Sequence, residues 1–164
     1  RKGMYGSFLM GCRMADTDDE FKTVCKVGTG FSEDMLQQLS KDLDCCLIDS
    51  PTTSSTGDRK LLSYPVVQNS KVRPVPDVFF EPQHVWEIRA ADISLSNVHN
   101  AGESLLGRGL GLRFPRFVRL RDDKSPNQAT SEEELVDHYS KQHTRSLLEK
   151  RYQEDEKLEG NVED

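Results

Sequence analysis

Apolar and polar residues alternate along several stretches of this chain with the two-residue period of strands, and only two stretches carry helix start signals. In Phe21 to Val27 (FKTVCKV), Phe21, Thr23, Cys25 and Val27 fall on one face and Lys22, Val24 and Lys26 on the other. Met4 to Met14 (MYGSFLMGCRM) is apolar and aromatic, but Gly6 and Gly11 would each cost a helix about 1 kcal/mol, so a bent strand is expected. The acidic stretch from Asp16 to Glu20 between them predicts a hairpin-type turn. Gly28-Thr29-Gly30 ends the alternation as a strand-to-helix turn of the kind that needs a positive φ. Ser32 is placed to cap a helix reaching to about Leu43, with Glu33 and Asp34 in its first turn and Met35, Leu36 and Leu39 as its apolar stripe.

The middle of the chain is less regular. Ser50 to Lys60, rich in Ser, Thr, Pro and Gly, predicts a mobile loop, and short strands are expected around Leu61 to Val67 and Val78 to Phe80. His84 to Leu95 has a strand pattern, with Val85, Glu87, Arg89 and Ala91 opposite Trp86, Ile88 and Ala90. Asn97 to Gly111 reads as loop. Leu112 to Leu120 then alternates strictly, setting Leu112, Phe114, Arg116, Val118 and Leu120 against Arg113, Pro115, Phe117, Arg119 and Arg121, while Pro115 marks an edge or bulged strand. Thr130-x-x-Glu133 and Ser131-x-x-Glu134 are capping-box spacings for a last helix, expected to reach about Lys150. About five strands with one inserted helix suit a small Greek-key barrel, and the oligonucleotide-binding (OB) fold is the commonest such barrel for nucleic acid. The expected architecture is therefore mainly β: an OB-fold barrel over residues 1–130 with an inserted helix, a C-terminal helix over 131–150 and an acidic, disordered tail over 151–164.

Charge changes the picture only when the chain is divided. The net charge is −6 over 164 residues, yet from Ser131 onward eleven acids stand against five bases, and the rest of the chain is balanced. The overall sign thus does not argue against a polyanionic partner, and local clustering decides. No apolar run approaches the roughly 18 residues of a membrane span. Cys12, Cys25, Cys45 and Cys46 form no Cys-x-x-Cys pair, which suits a reducing compartment, and His84, His99, His138 and His143 stand in no metal-ligand frame, so no metal site is expected. The opening Arg1-Lys2-Gly3 has neither an initiator Met nor a signal pattern, so the chain is expected to be a piece of a longer protein.

The strongest local signal is the stretch from Arg108 to Lys124, where Arg108, Arg113, Arg116, Arg119, Arg121 and Lys124 face only Asp122 and Asp123. Guanidinium forks match phosphate oxygens, and an alternating strand would show arginines on both faces, one for DNA and one for a nucleotide triphosphate. The plain alternative is a solvated edge strand guarded by cations. Trp86 reads as barrel core before stacking platform, and Glu87 with Arg89 reads as a structural ion pair. Lys26 is placed to touch a DNA backbone.

The run Arg113-Phe-Pro-Arg-Phe-Val-Arg-Leu-Arg-Asp-Asp-Lys124 resembles the last signature motif of ATP-dependent DNA ligases, Arg-Phe-Pro-x-Phe-x-Arg-x-Arg-x-Asp-Lys, at every fixed position. Lys2-Gly-Met-Tyr-Gly-Ser-Phe-Leu9, Cys25-Lys-Val-Gly-Thr-Gly-Phe-Ser32 and Val85-Trp-Glu-Ile-Arg-Ala-Ala-Asp-Ile-Ser94 are similar to the same family in the same order. The resemblance covers residues 2 to about 131 and is nearest to the eukaryotic, replicative ligase-one type.

It implies a module that seals no nick alone, because the Lys-x-Asp-Gly nucleophile of the preceding nucleotidyltransferase domain does not occur here. It further implies ATP and Mg2+ for the full enzyme, nicked duplex DNA and the nucleotidyltransferase domain as partners, a monomer, a nuclear location, and service in replication, repair and recombination. Arg116, Arg119, Arg121 and Lys124 would orient the ATP pyrophosphate, and Arg113, Phe114, Lys26 and Arg108 would bind DNA. Phe114 as ordinary barrel core remains the alternative to its role as a wedge. Two rival readings are the corresponding domain of an mRNA capping guanylyltransferase, which shares the Arg-x-Arg-x-Asp-Lys ending, and a non-catalytic single-strand-binding OB module.

Overall fold

The chain is described by a computed structural model covering residues 4–14, 20–48, 62–63 and 76–160. The expected turn at 16–20, the loop at 50–60 and most of the strand at 61–67 lie outside the described residues. Within them the order is β1 (Phe8–Arg13), β2 (Phe21–Val27), α1 (Glu33–Asp44), β3 (Leu47–Ile48), β4 (Leu62–Ser63), β5 (Phe79–Phe80), β6 (Trp86–Arg89), β7 (Asp92–Ser96), α2 (Glu103–Leu106), β8 (Gly109–Arg113), β9 (Arg116–Leu120), a 3-10 turn (Pro126–Gln128) and α3 (Glu132–Gly160).

The domain is mainly β, but the described strands make four separate sheets rather than one five-stranded barrel: β1-β2-β4, with β4 parallel to β2, and the antiparallel pairs β3–β5, β6–β9 and β7–β8. Single backbone hydrogen bonds join the pieces. Phe117 N–H donates to Thr29 O at 2.8 Å, Ala101 N–H to Thr23 O at 3.1 Å and Arg13 N–H to Thr130 O at 3.0 Å.

Two expected strands break in the middle, each for a backbone reason. His84 to Leu95 divides at Ala90-Ala91, where the Ala91 N–H turns to Arg113 O at 2.9 Å, so β6 pairs with β9 while β7 pairs with β8. Leu112 to Leu120 divides at Phe114-Pro115, because Pro115 has no N–H to continue a ladder and Phe114 takes φ 51. The strict alternation also fails inside β9. Ile88 pairs with Phe117 but Glu87 pairs with Arg119, which leaves Val118 as the extra residue of a bulge. Phe117 and Leu120 consequently both pack on the core, and Arg116 and Arg119 both lie on the outer face, where the alternation had separated them.

The core has two lobes. One joins Phe8, Val27, Leu36, Leu39, Leu43 and Phe117, and the other joins Cys12, Val24, Cys25, Ala101, Leu110 and Leu135, with Met10 and Ile88 packed against both. Each fully buried leucine, such as Leu39 or Leu110, contributes about 1.5–3 kcal/mol by leaving water. Trp86 is a core residue, edge-on to Phe8 at 4.8 Å and to Phe117 at 5.2 Å. Helix α1 begins as expected, with Ser32 Oγ accepting the Met35 N–H at 3.1 Å, but its buried stripe is Leu36, Leu39 and Leu43, and Met35 stays exposed. β2 is buried on both faces except at Lys26, which is why Lys22 lies inside.

Lys22 meets Glu132 at 3.3 Å in a buried ion pair, and Glu132 also accepts the Gly102 N–H at 2.9 Å and the Ser104 hydroxyl at 3.2 Å. A satisfied pair of this kind costs about 3–5 kcal/mol to break from one side, so it fastens the start of α3 to β2 and α2. Ser131 Oγ accepts the Glu134 N–H at 3.2 Å, and Gln142 exchanges two hydrogen bonds with the Ile93 backbone, each of 2.9 Å. Helix α3 continues to Gly160, past the expected end at Lys150, so residues 151–160 are helical rather than a disordered tail. Leu135, Val136 and Tyr139 seat its first turns on the core, and further along surface pairs, Lys141 to Asp137 at 2.8 Å and Arg145 to Glu149 at 3.2 Å, support the helix. No described helix is long and apolar enough to cross a membrane.

Gly30 combines a positive φ with a close backbone approach. It has φ 93, and a Cβ there would collide with the backbone of Phe117. Gly30→Ala is therefore expected to cost about 2 kcal/mol or more and to lower the thermal midpoint by several degrees; calorimetry showing an unchanged midpoint would contradict this packing.

Candidate nucleic-acid and nucleotide-phosphate interface

The break between β8 and β9 builds a corner. Phe114 is the one non-glycine residue with positive φ among the described residues, a conformation that costs roughly 1–3 kcal/mol, and its ring is 74% exposed. It is thus not barrel core. The Arg113 guanidinium carbon stands 5.3 Å from the ring centroid, and its Nη1 is 3.3 Å from Asp92 Oδ2, the residue opposite it across β7 and β8. An exposed aromatic ring held on a strained turn beside a cation is a projection that the fold maintains at a cost.

The outer face of β6 and β9 carries the other charges in two groups. At one end Glu87 Oε2 accepts Arg119 Nε at 3.1 Å, and its Oε1 lies 3.7 Å from Arg121. Arg121 in turn grips Asp123 with two parallel hydrogen bonds of 2.9 Å, and the Lys124 N–H closes the turn on Arg121 O at 3.2 Å. That fork holds the Asp123 carboxyl down at about 2. Lys124 is exposed and has no carboxylate partner among the described residues. At the other end Arg116 lies directly opposite Arg89, and both are exposed.

Of the four cations expected to act together on pyrophosphate, Arg119 and Arg121 share Glu87, Lys124 follows in the turn closed on Arg121, and Arg116 lies on the same face as Arg119, one pairing step further along β6 opposite Arg89. Arg113 and Phe114 stand together as expected. Lys26 is the exposed residue of β2, and Arg108 lies at the far end of β8 from the corner, with Nη2 on Asn97 Oδ1 at 3.3 Å. Glu87 does not pair with Arg89 as expected: its partners are Arg119 of β9 and Arg121 just past its end. The Gly28-Thr29-Gly30 turn takes its positive φ at Gly30, as expected.

Elsewhere among the described residues, Cys46 Sγ lies 3.7 Å from His84 Nε2. All four cysteines are free, and burial pushes the Cys12 and Cys25 thiols up to about 12, which makes them poor nucleophiles. Among the described residues no three His, Cys, Asp or Glu side chains converge on a metal position. The exposed fork of Arg119, the half-buried fork of Arg121 and the Lys124 ammonium suit phosphate oxygens; Asp123, engaged by Arg121, does not suit Mg2+.

Residues 1–124 match the family model described as the ATP dependent DNA ligase C terminal region. The chain is 42% identical over 142 residues to DNA ligase 1 of Saccharomyces cerevisiae, covering 87% of this chain and 17% of that protein. It is 39% identical over 158 residues to DNA ligase 1 of Dictyostelium discoideum, covering 95% of this chain and 12% of the relative. A probable DNA ligase of the bacterium Persephonella marina is 45% identical over 145 residues, or 87% of this chain and 22% of its own. The chain therefore spans about a fifth or less of these relatives, and it belongs to the ATP-dependent DNA ligase family as its C-terminal region.

The Arg121 fork generates a pH prediction. A carboxyl held below its ordinary 3.8 stabilises the turn above that value and loses the contact as pH falls toward about 2. In an NMR titration Asp123 is expected to titrate near 2 and to return to about 4 in Arg121→Ala; a wild-type midpoint already near 4 would remove the fork.

Proposed function

We propose that this chain is the DNA-gripping and ATP-orienting domain of an enzyme that seals nicks in duplex DNA through enzyme–AMP and DNA–AMP stages. The observation that carries this reading is the Arg113-Phe114 corner: an exposed ring on a strained backbone, flanked by cations, inside the run that matches the ligase signature. Such a side chain can press on a base pair edge in the minor groove while Arg113 meets the backbone phosphates. Lys26 and Arg108 add outlying backbone contacts. The four sheets are segments of one OB-type barrel, an assignment supported by the hydrogen bonds from Phe117 to Thr29 and from Ala101 to Thr23 that bridge them.

The nucleophilic lysine and the adenine pocket belong to a nucleotidyltransferase domain of the same protein. When that lysine attacks the α-phosphate of ATP, the bond to the pyrophosphate oxygen breaks and negative charge gathers on the leaving group. Arg119, Arg121 and Lys124 offset that charge and hold the leaving group in line. Mg2+ serves the full enzyme and is held outside this chain. The replicative role, the nuclear location and the monomeric state belong to the same reading. The guanylyltransferase and single-strand-binding readings have no structural observation in their favour.

In the full-length enzyme, Arg121→Ala or Lys124→Ala is expected to slow self-adenylylation by about 10²-fold and to slow sealing of pre-adenylylated DNA much less; equal losses in the two assays would reject the leaving-group role. Phe114→Gly removes the ring and relieves the positive φ. It is expected to keep or raise the thermal midpoint while weakening nicked-duplex binding, whereas a fallen midpoint would return Phe114 to the core.

A further inference from the structure

Arg89 and Arg116 are paired by register, directly opposite each other across the antiparallel strands β6 and β9, on the face turned away from the core. Side chains so placed start only about 4.5–5.5 Å apart at Cβ, and like charges there destabilise a sheet. Arg113, Arg119 and Arg121 each have a carboxylate within reach. Arg89 and Arg116 have none in ion-pair contact among the described residues, and Glu87, two residues from Arg89 on the same face, is taken by Arg119 and Arg121. They lie beside the Phe114 corner, with only Pro115 between Phe114 and Arg116, and Arg119 is the next outward cation along β9.

We infer that Arg89 and Arg116 form a two-guanidinium clamp for a single DNA phosphodiester, so that Arg116 serves the DNA and not the pyrophosphate, and Arg89 joins the binding set. The inference rests on the DNA-ligase reading and sharpens it. A phosphodiester has two free oxygens sharing one negative charge, and two converging guanidinium forks can each take one of them. The anion also cancels the repulsion between the arginines, so the unbound sheet carries an electrostatic cost that binding relieves. A clamp beside Phe114 would fix the backbone at the step where the ring presses on the bases. Ordinary edge protection, the competing explanation, asks only that the strand be charged.

The test measures nicked-duplex affinity of the full-length protein over a series of salt concentrations, for wild type, Arg89→Ala, Arg116→Ala and Arg89→Glu. Each alanine variant is expected to raise Kd about tenfold and to reduce the slope of log affinity against log salt by about one, the signature of one lost phosphate contact. Their thermal midpoints are expected to hold or rise because a repulsion is removed. Arg89→Glu, which gives Arg116 a cross-strand partner, should raise the midpoint further and bind DNA worse than Arg89→Ala. Arg89→Lys keeps the charge and should keep the salt slope. Unchanged affinity and slope in the alanine variants, in a wild type that binds and seals nicks, would overturn the clamp and leave the ligase reading standing. A wild type that neither adenylylates nor binds nicked duplex would remove the ligase reading and the clamp with it.

Discussion

The backbones of Gly30 and Phe117 approach so closely that no Cβ fits between them, and much of the architecture depends on that contact. No side chain larger than hydrogen fits there, because a Cβ on Gly30 would overlap the Phe117 carbonyl and amide. The contact lets Thr29 O take the Phe117 N–H and lets the rings of Phe31 and Phe117 stack at 4.6 Å. Those two contacts tie the end of β2 to the start of β9. Phe117 is in turn the inward residue that sets the β9 bulge, and the bulge decides which arginines face outward. A glycine some 85 residues upstream in the chain thus governs the presentation of the cationic strand.

The outward cations differ in how they are held. At the Glu87 end two carboxylates restrain Arg119 and Arg121 in a connected ladder, which orders the guanidinium planes before any ligand arrives. Exposed pairs of this kind add little stability, about 0–1 kcal/mol, so their value lies in position. Under the proposed reading, an arriving phosphate would compete with Asp123 for Arg121. At the Arg89 end there is no such restraint among the described residues. The proposed division of labour follows that contrast: restrained cations suit a step that needs exact alignment of a leaving group, and uncompensated ones suit affinity for a polyanion.

What could be read from the residues was local. Ser32 as a cap, Phe21 to Val27 as a strand, Ser131 as the start of α3, Trp86 as core and the signature run all depend on neighbours a few positions away, and each stands in the structure. The misses arose where distant backbone decided. Alternation predicted opposite faces for Arg116 and Arg119, but a bulge set by pairing with β6 moved them to one face. Pro115 did signal an interruption and the family resemblance set Phe114 outside the core, yet nothing in a one-dimensional pattern gives Phe114 its positive φ. Glu87 was given the wrong arginine because partners two residues apart on a strand are obvious in sequence, while partners across a ladder are not. Lys22 looked like a surface residue by period, and burial of both faces of β2 with Glu132 as its counter-ion made it an interior one.

The single outer face has a mechanical consequence under the proposed reading. Had the arginines alternated, nucleotide and DNA could have approached from opposite sides of one strand. With Arg116 and Arg119 on the same side, the phosphate-orienting end and the corner lie on one surface. A duplex seated by its minor groove on Phe114 and the arginines around it would extend over much of that surface. The nucleotidyltransferase domain and the DNA would then compete for overlapping parts of the same face, and they could not both be served in one arrangement. Adenylylation and nick binding must therefore follow one another, with the domain moved between them. The strain at Phe114 is compatible with this order, since a ring that stays exposed while the other end is occupied needs no refolding to meet DNA afterward.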